Sequence, residues 1–337
     1  MQLAQGIRQT GAALRRAIGR VGEWLAQLDP DTAWRWTKRV AVVLAAFVVL
    51  YYPVGMIVMH RIDDDLEFGP APDDLEAGQS LAAAMAIALI DREVNAHGWV
   101  ANDPFFMPSA LLDNMPAFQT GIVRALARFG FELTDQIGRT RGSSQADADL
   151  QDAAGLLQYS GTRWVWDPTV SLMPTASSEA QYLKAAKALA AYNARLAKGE
   201  AVFERRSDNL LATLDRIALD IGSSSAVLEE RVDKGSGQLI DILADDHFYG
   251  VKGQMYGYYM ILKALKADFA SVIESRDLET TYDQTLESLA KAARLDPWVI
   301  VNGAPDSQFL PSHLAAQGFF VLRARTQLRE ITNILLK

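Results

Sequence analysis

The sequence contains no cysteine and only four histidines among its 337 residues. The absence of cysteine excludes disulfide bonds, thiolate zinc sites, iron–sulfur clusters and a cysteine nucleophile. Also absent are the HExxH, GxSxG, Walker and GxGxxG patterns that zinc peptidases, serine hydrolases and nucleotide-binding proteins require. We therefore expect neither a metal ion nor another cofactor.

Positive charge is scarce overall, with a net charge of -8 and an isoelectric point near 5.1. Nucleic-acid binding needs a clustered basic surface, so the sequence predicts no nucleic-acid partner. Residues 1–39 nevertheless carry seven basic and three acidic side chains, a net charge of +4, and the rest of the chain therefore carries -12. This asymmetry is typical of a membrane protein with a basic cytoplasmic side.

Residues 40–59 are 20 consecutive residues without a charged side chain. A helix of that length spans roughly 30 Å of hydrocarbon, which is enough to cross a bilayer. Trp34 and Trp36 precede the span at the position of an interfacial aromatic belt, and acidic residues follow it. The positive-inside rule then predicts a single-pass protein of the bacterial inner membrane with a cytoplasmic N-terminus and a periplasmic C-terminal domain. We expect the span to remain as an anchor, since no small-x-small cleavage site follows it.

Residues 1–39 form a basic arm with an amphipathic pattern. Its apolar residues recur mostly at intervals of three, four or seven between Leu3 and Leu28, which predicts one apolar face of a helix. A lipid leaflet, a cytoplasmic partner and a second copy of the chain all fit that face, and the sequence leaves the choice open. The Asp-Pro-Asp-Thr sequence at 29–32 predicts a break before the anchor.

The remainder of the chain has helical periodicity and no convincing strand pattern, so we predict an all-α fold: a single N-terminal transmembrane helix followed by a periplasmic helical bundle. Residues 60–79 are acidic and contain proline, which is typical of a linker, and the folded domain is expected to span 80–337 with a sub-boundary near 222–237. Helices are predicted over 80–98, 116–137, 146–159, 179–221 with a break at Gly199, 254–276, 281–295 and 312–336. Ser80 is the expected N-cap and Gly98 the expected stop of the first helix, an apolar stripe runs from Phe118 to Ile137 in the second, and Ser178 takes a capping position before the fourth.

A short pattern occurs three times in this domain. Each copy has a Trp-Val pair, a loop with a nearby Asp-Pro step, and then a Pro-Ser or Pro-Thr pair before a predicted helix. In one interpretation the tryptophan anchors each loop on the core and the hydroxyl residue starts the next helix. In the other, the loops gather at one end of the bundle as a binding surface with partly exposed polar residues. The binding residues would then be Trp99, Asn102, Asp103, Trp164, Asp167, Trp298, Asn302 and Asp306.

Residues for catalysis or metal binding are few. The Asp-Asp-His triplet at 245–247 is the best metal-binding fragment, but adjacent helical residues point in divergent directions, which favours a solvated helix end. Glu274-Ser275 is similar to the Glu-Ser pair of lytic transglycosylases, yet Glu274 equally fits the polar side of an amphipathic helix. The aromatic residues at 248–259 fit a core or a lipid or small-molecule pocket.

Three segments carry a resemblance to a known family. They are residues 89–139 (which include WVANDPFFMPS), 159–168 (YSGTRWVWDP) and 307–328 (SQFLPSHLAAQGFFVLRARTQL). Together with the basic arm and the anchor, they resemble an uncharacterised family of Gram-negative bacterial envelope proteins that carries only a domain-of-unknown-function label. The resemblance implies an inner-membrane protein and supplies no activity, cofactor or catalytic residue.

The sequence thus favours a noncatalytic inner-membrane protein whose periplasmic domain binds a protein or another envelope partner, with the lipid bilayer around its anchor. The oligomeric state stays open. Two alternatives remain: a periplasmic glycan hydrolase or lyase that uses aspartate or glutamate, and a lipid-binding or small-molecule-binding module. A carboxylate buried in a long cleft would distinguish the hydrolase from the binding modules.

Overall fold

The computed structural model describes residues 29–139, 146–166, 171–235, 241–305 and 307–337. These residues are mostly helical, and within them no β-strand forms apart from one isolated bridge between Asn302 and Ser312. The predicted all-α class is confirmed. The amphipathic helix predicted for the arm lies outside the described residues. The chain divides into two compact units, Met1–Ile57 and Val58–Lys337.

The long apolar helix, α1, spans Pro30–Met59. It starts ahead of the predicted residue 40, because the side chain of Asp29 accepts the backbone N–H of Thr32 at 3.3 Å and caps the first turn. None of its residues is buried, and the helix is long and apolar enough to cross a membrane. Near its start, the Lys38 ammonium lies 4.9 Å from the centroid of the Trp34 ring.

Nine further helices belong to the part of the second unit that the structure describes. Two of them, α2 and α3, continue into single π-helical turns at Arg92–Ala96 and Leu133–Ile137. The nine helices are α2 (Leu81–Asp91), α3 (Asn114–Glu132), α4 (Ala148–Leu157), α5 (Ser178–Ala197), α6 (Ser207–Gly235), α7 (Ile242–Asp268), α8 (Ala270–Ser275), α9 (Glu279–Ala293) and α10 (His313–Leu335).

Local capping chemistry explains several helix ends. The hydroxyl of Ser80 accepts the backbone N–H three residues later at 3.1 Å, and Gly98 takes a φ of +80° beyond the π turn, as the predicted start and stop require. At α5 the predicted cap is wrong by one residue. Ser177 caps the helix, whereas the hydroxyl of Ser178 is buried and donates to the carbonyl oxygen of Ser160 at 2.7 Å.

Helix α6 runs without interruption to Gly235, through most of the predicted sub-boundary at 222–237. Ser223 and Ser224 donate to carbonyl oxygens four residues earlier, at 3.3 and 3.2 Å, so their hydroxyls do not compete with the helical hydrogen bonds. Residues 58–337 accordingly form one compact unit, with 236–240 outside the described part.

Successive long helices run in opposite directions, so α3 and α7 are parallel, and they form the closest helix pair in the core. A Cβ atom at Gly121 of α3 would collide with the carbonyl oxygen of Gly250 in α7, and one at Gly253 would collide with the carbonyl oxygen of Phe118. Because only glycine permits this approach, the two backbones lie in direct contact.

The end of the unit where α2 starts and α7 ends is called here the far end. Buried polar groups there are hydrogen-bonded to one another. The carboxylate of Asp268 accepts hydrogen bonds from the Ser80 hydroxyl at 2.7 Å and from the backbone N–H groups of Leu81 and Ala82 at 3.0 Å. The carboxylate therefore caps the N-terminus of α2 from a neighbouring helix.

Residues 60–79, expected to be a linker, lie against the helical core and are called here the strap. Tyr256 donates its hydroxyl to the carbonyl oxygen of Asp65 at 2.8 Å, and the Lys263 ammonium donates to the carbonyl oxygen of Leu66 at 2.8 Å. Phe68 packs against the core farther along. The strap thus follows α7 toward the far end, and the compact unit starts at Val58 rather than near residue 80.

Candidate functional site: the loop end of the domain

Opposite the far end lies the loop end, where α2, α4 and α9 finish and α3, α5 and α10 begin. Its connections are loop A (residues 98–113), loop B (158–177, described except for 167–170) and loop C (294–312, described except for 306). Each contains one copy of the tryptophan pattern. The side-chain amide of Gln317, near the start of α10, donates to the carbonyl oxygen of Phe248, near the start of α7, at 3.1 Å. Helices α7 and α10 therefore begin at the same end. The structure therefore places Trp99, Trp164 and Trp298 at the same end of the domain.

Trp99 of loop A is a core residue. Its indole is 4% exposed, and its Nε1 donates to the carbonyl oxygen of Gly161 in loop B at 2.8 Å. The ring also packs edge-on against Tyr182, with centroids 5.0 Å apart. This tryptophan fixes loop A to loop B rather than presenting its ring to a ligand.

Asn102 is also buried, whereas partial exposure was expected. Its Nδ2 donates to the carbonyl oxygen of Arg163 at 2.7 Å and to Glu179 Oε2 at 2.8 Å. Asp103 accepts a hydrogen bond from the hydroxyl of Ser109, and burial raises the pKa of its carboxyl. Both side chains therefore make hydrogen bonds that hold the loops in place.

Loop B contributes a half-buried tryptophan and an exposed one. Trp164 packs edge-on against Phe106 of loop A, with centroids 5.7 Å apart. Trp166 is half exposed, and its Nε1 donates to the carbonyl oxygen of Leu172 at 3.4 Å. Asp167 lies outside the described residues. Loops A and B therefore form one connected layer.

Loop C repeats the asparagine contacts but not the tryptophan contacts. Asn302 is buried, and its Nδ2 donates to the carbonyl oxygen of Arg231 at 3.1 Å and to Asp241 Oδ2 at 2.9 Å. Trp298, in contrast, is fully exposed to solvent. Asp306 lies outside the described residues. Of the polar residues predicted to bind a partner, the two asparagines thus have buried, structural side chains.

An open depression of about 340 Å³ lies at the loop end, between loop A, loop B and the start of α7. Its lining includes Asp113, Arg124, Asp246 and His247. Beside it, burial together with the charges of Asp113 and Asp246 raises the pKa of Asp245 to about 6. Asp245 lies in the first turn of α7, and in the described part of the chain no three potential metal ligands are grouped to hold an ion.

The other residues considered from the sequence lie elsewhere. Glu274 is exposed on the short helix α8, whereas the general acid of a glycoside hydrolase needs an apolar pocket. Phe248, Tyr256 and Tyr258 are fully buried in the core, so the 248–259 aromatic residues pack the domain. Tyr258 donates its hydroxyl to the carboxylate of Asp220.

Large apolar side chains are exposed on all three loops. In loop C, Phe309 is 93% exposed and Val299 is 70% exposed. In loop B, Leu172 and Met173 are 83% and 72% exposed, and Phe105 of loop A is 84% exposed. Side chains of this size are unusual at the tips of water-exposed loops, and grouped exposure marks an interaction surface.

The chain enters the second unit at this same end. The backbone N–H of Arg61 donates to the sulfur of Met115, in the first turn of α3, at 3.1 Å. The buried ammonium of Lys252 lies 2.9 Å from the Asp64 carboxylate and donates to the carbonyl oxygen of Leu295, in loop C, at 2.9 Å. The strap is therefore attached where the loops lie.

Sequence reasoning missed these strap contacts and the exposed apolar tips. The signal for the first was present: Arg92 and Lys252 each interrupt a strongly apolar run, and three consecutive aspartates at 63–65 are available to pair with them. Arg92 lies 3.5 Å from Asp63 and is buried. The exposed apolar side chains also had a signal, since Leu-Met at 172–173 and Phe-Leu at 309–310 are apolar pairs inside polar loops.

Comparison with curated proteins and with solved structures found no match. A family model does match, over residues 71–239 and 239–337, and thereby covers most of the chain and all three loops. That model describes an uncharacterized protein conserved in bacteria, so it assigns no role to any residue. The fold and the family coverage together lead to one identification: the chain belongs to the bacterial family DUF2333.

Proposed function

We propose that this protein is a noncatalytic envelope-binding module, held in the bacterial inner membrane by α1, whose periplasmic helical domain presents its loop end to a protein or another envelope partner. The observation that carries the proposal is the exposure of Leu172, Trp298 and Phe309 on two loops of one end. Buried contacts such as Asn102 to Arg163 hold the loops in place, so the apolar tips are presented from a rigid framework.

The topology follows from the charge asymmetry across α1. Its N-terminal side carries Lys38 and Arg39, and its C-terminal side is followed by Asp63 and Asp64. A reporter that is active only in the periplasm should therefore be active after Lys337 and silent before Met1. The reverse pattern, or full-length protein that stays in solution after membranes are sedimented, would overturn the inner-membrane assignment.

Photo-crosslinking in intact cells tests the binding role. Benzoylphenylalanine replaces Leu172 or Phe309 in two variants, and the exposed Leu336 beyond α10 in a matched control. We expect discrete adducts, with protein or lipid identified by mass spectrometry, at the two loop positions and not at the control. Equal, diffuse labelling at all three positions would contradict the proposal.

One observation favours a second function, a carboxylate-dependent hydrolase or lyase. Asp245, with its pKa raised to about 6, lies beside an open depression that Asp113 and Asp246 approach, and a raised carboxyl pKa suits a general acid. A gene that carries Asp245→Asn should then fail to complement an envelope phenotype of the gene deletion, although the variant protein is present at the normal level. Full complementation by this variant would leave only the noncatalytic role.

A further inference from the structure

The apolar tips of loops B and C differ chemically from the surface around them. Leu172, Met173, Trp298, Val299 and Phe309 are each at least 70% exposed. Burying such side chains is favourable by about 25 cal/mol per Å² of apolar surface. Transfer of these side chains from water into an apolar phase at this end of the bundle would therefore be favourable.

The short segment between the apolar helix and the loop end indicates which apolar phase lies close to the loops. The apolar helix ends at Met59, and the backbone of Arg61 is bonded to Met115 at the loop end. Two residues of extended chain span about 7 Å, so Arg61, and with it the start of α3, lies within about that distance of the end of the apolar helix. A tether this short gives the bilayer a high effective concentration at the loops, which no soluble partner has.

The chemistry of the tips matches the interfacial layer of a bilayer. Tryptophan and other aromatic residues are enriched at the depth of lipid headgroups, where an apolar ring and a polar edge are both accommodated. The described parts of the two loops hold few charged side chains, Arg163 in loop B and Arg294 beside Asp296 in loop C. Attraction to anionic lipids needs a cluster of basic residues, so the contact depends on apolar insertion.

We infer that loops B and C insert their apolar side chains into the interfacial layer of the bilayer that α1 crosses, so that the envelope partner of the loop end is the lipid surface itself. The inference rests on the proposed function, because it names the partner of the same surface. The domain is then held to the membrane at two places: the covalent link at Met59 and the inserted loops.

The experiment uses the full chain and the absence of native cysteine, which makes every cysteine variant singly labelled. Leu172→Cys and Phe309→Cys report on the two loops, and Leu336→Cys is the matched control, an exposed leucine at the far end of α10. Each protein is labelled with the fluorophore NBD and reconstituted at a low protein-to-lipid ratio into phosphatidylcholine vesicles, with or without headgroup-nitroxide lipids.

We expect the NBD emission at 172 and 309 to shift to the blue and to be quenched by the nitroxide lipids about threefold more than at 336, since interfacial insertion reaches about 5–10 Å into the bilayer. High salt should leave the quenching unchanged, because it depends on apolar contact. Circular dichroism confirms that the variants keep their helical content.

Two results would overturn the inference. Loop labels as accessible to water as the label at 336 would show that the tips do not meet lipid. Loop labels that are shielded but unquenched, with shielding that falls on dilution in lipid, would show that a second copy covers them. In either case a loop-specific protein adduct in intact cells would leave the proposed function standing, whereas the absence of any loop adduct in cells would refute the proposed function itself.

Discussion

Loops A and C contain the same sequence pattern, and the structure uses it in two ways. Their asparagines act alike: each donates its Nδ2 to a backbone carbonyl oxygen and to a carboxylate, Arg163 and Glu179 for Asn102, and Arg231 and Asp241 for Asn302. Their tryptophans act oppositely, because Trp99 is buried and Trp298 is exposed. The repeated pattern therefore keeps the asparagine hydrogen bonds in both loops, whereas its tryptophan packs in the core in loop A and is exposed in loop C.

The largest expected effect is at the buried tryptophan. Trp99→Ala removes the edge-on contact with Tyr182 and the hydrogen bond to Gly161, and should lower the free energy of unfolding by about 3 to 5 kcal/mol. Urea titration of the full chain in mild detergent, followed by circular dichroism, measures the change. A loss below about 1 kcal/mol would mean that loop A is not anchored by this ring.

The two asparagines should have similar, smaller effects. Asn102→Ala and Asn302→Ala each remove two hydrogen bonds of a buried amide, one of them to a carboxylate, which costs about 1 to 3 kcal/mol. The same urea titration compares them directly. If only one variant is destabilised, the shared role of the asparagines, and with it the similarity of loops A and C, is refuted.

The acidic start of α7, next to loop A, adds a pH dependence. The pKa of Asp245 is raised from 3.8 to about 6 in the folded chain, so the folded chain holds this proton more tightly, and stability falls as pH rises from 4 to 6. Because Asp245 is partly exposed and solvent screens its interactions, Asp245→Asn should raise the free energy of unfolding at pH 7 by only about 1 kcal/mol.

Urea titrations at pH 4 and pH 7 test this, with Glu274→Gln as the control at an exposed carboxylate. The stabilisation of Asp245→Asn should disappear at pH 4, where the native carboxyl is protonated. Equal stabilisation at both pH values would rule out the titration of Asp245 as its cause.

The smallest effect on stability is expected at the exposed tryptophan. Trp298→Ala should change the free energy of unfolding by no more than about 0.5 kcal/mol, since an exposed ring loses little on truncation. The same titration as for Trp99→Ala provides the comparison. A large loss would place Trp298 in the core and remove the contrast between the two loops.

Sequence reasoning succeeded where the controlling physics is local. The Ser80 cap, the stop at Gly98 and the apolar stripe of α3 depend on residues within one or two turns, and each lies where it was predicted. Sequence reasoning was less accurate where contacts with residues far away in the sequence determine the position of a segment. The strap follows α7 because of Tyr256 and Lys263, nearly 200 positions along the chain, and no local pattern encodes that pairing.

The candidate site shows the same division. The positions of the loops followed from helix spacing, but the burial of Asn102 and Asn302 did not, because a polar residue in a loop carries no periodic signal of its environment. The one-residue shift of the α5 cap from Ser178 to Ser177 did not follow either, since the Ser178 hydroxyl accepts from the backbone N–H of Arg163 and donates to the carbonyl oxygen of Ser160 in loop B.

The course of the strap has a mechanical consequence. Its contacts, from Asp64 with Lys252 to Glu67 with Lys263, are spread along the length of α7 and run away from the point where the chain enters the domain. A pulling force on Val58, directed out of the loop end, therefore loads these contacts in shear, all at once, instead of peeling them apart one at a time. Tension on the polypeptide at that point is distributed across the helical core before any single bond has to break.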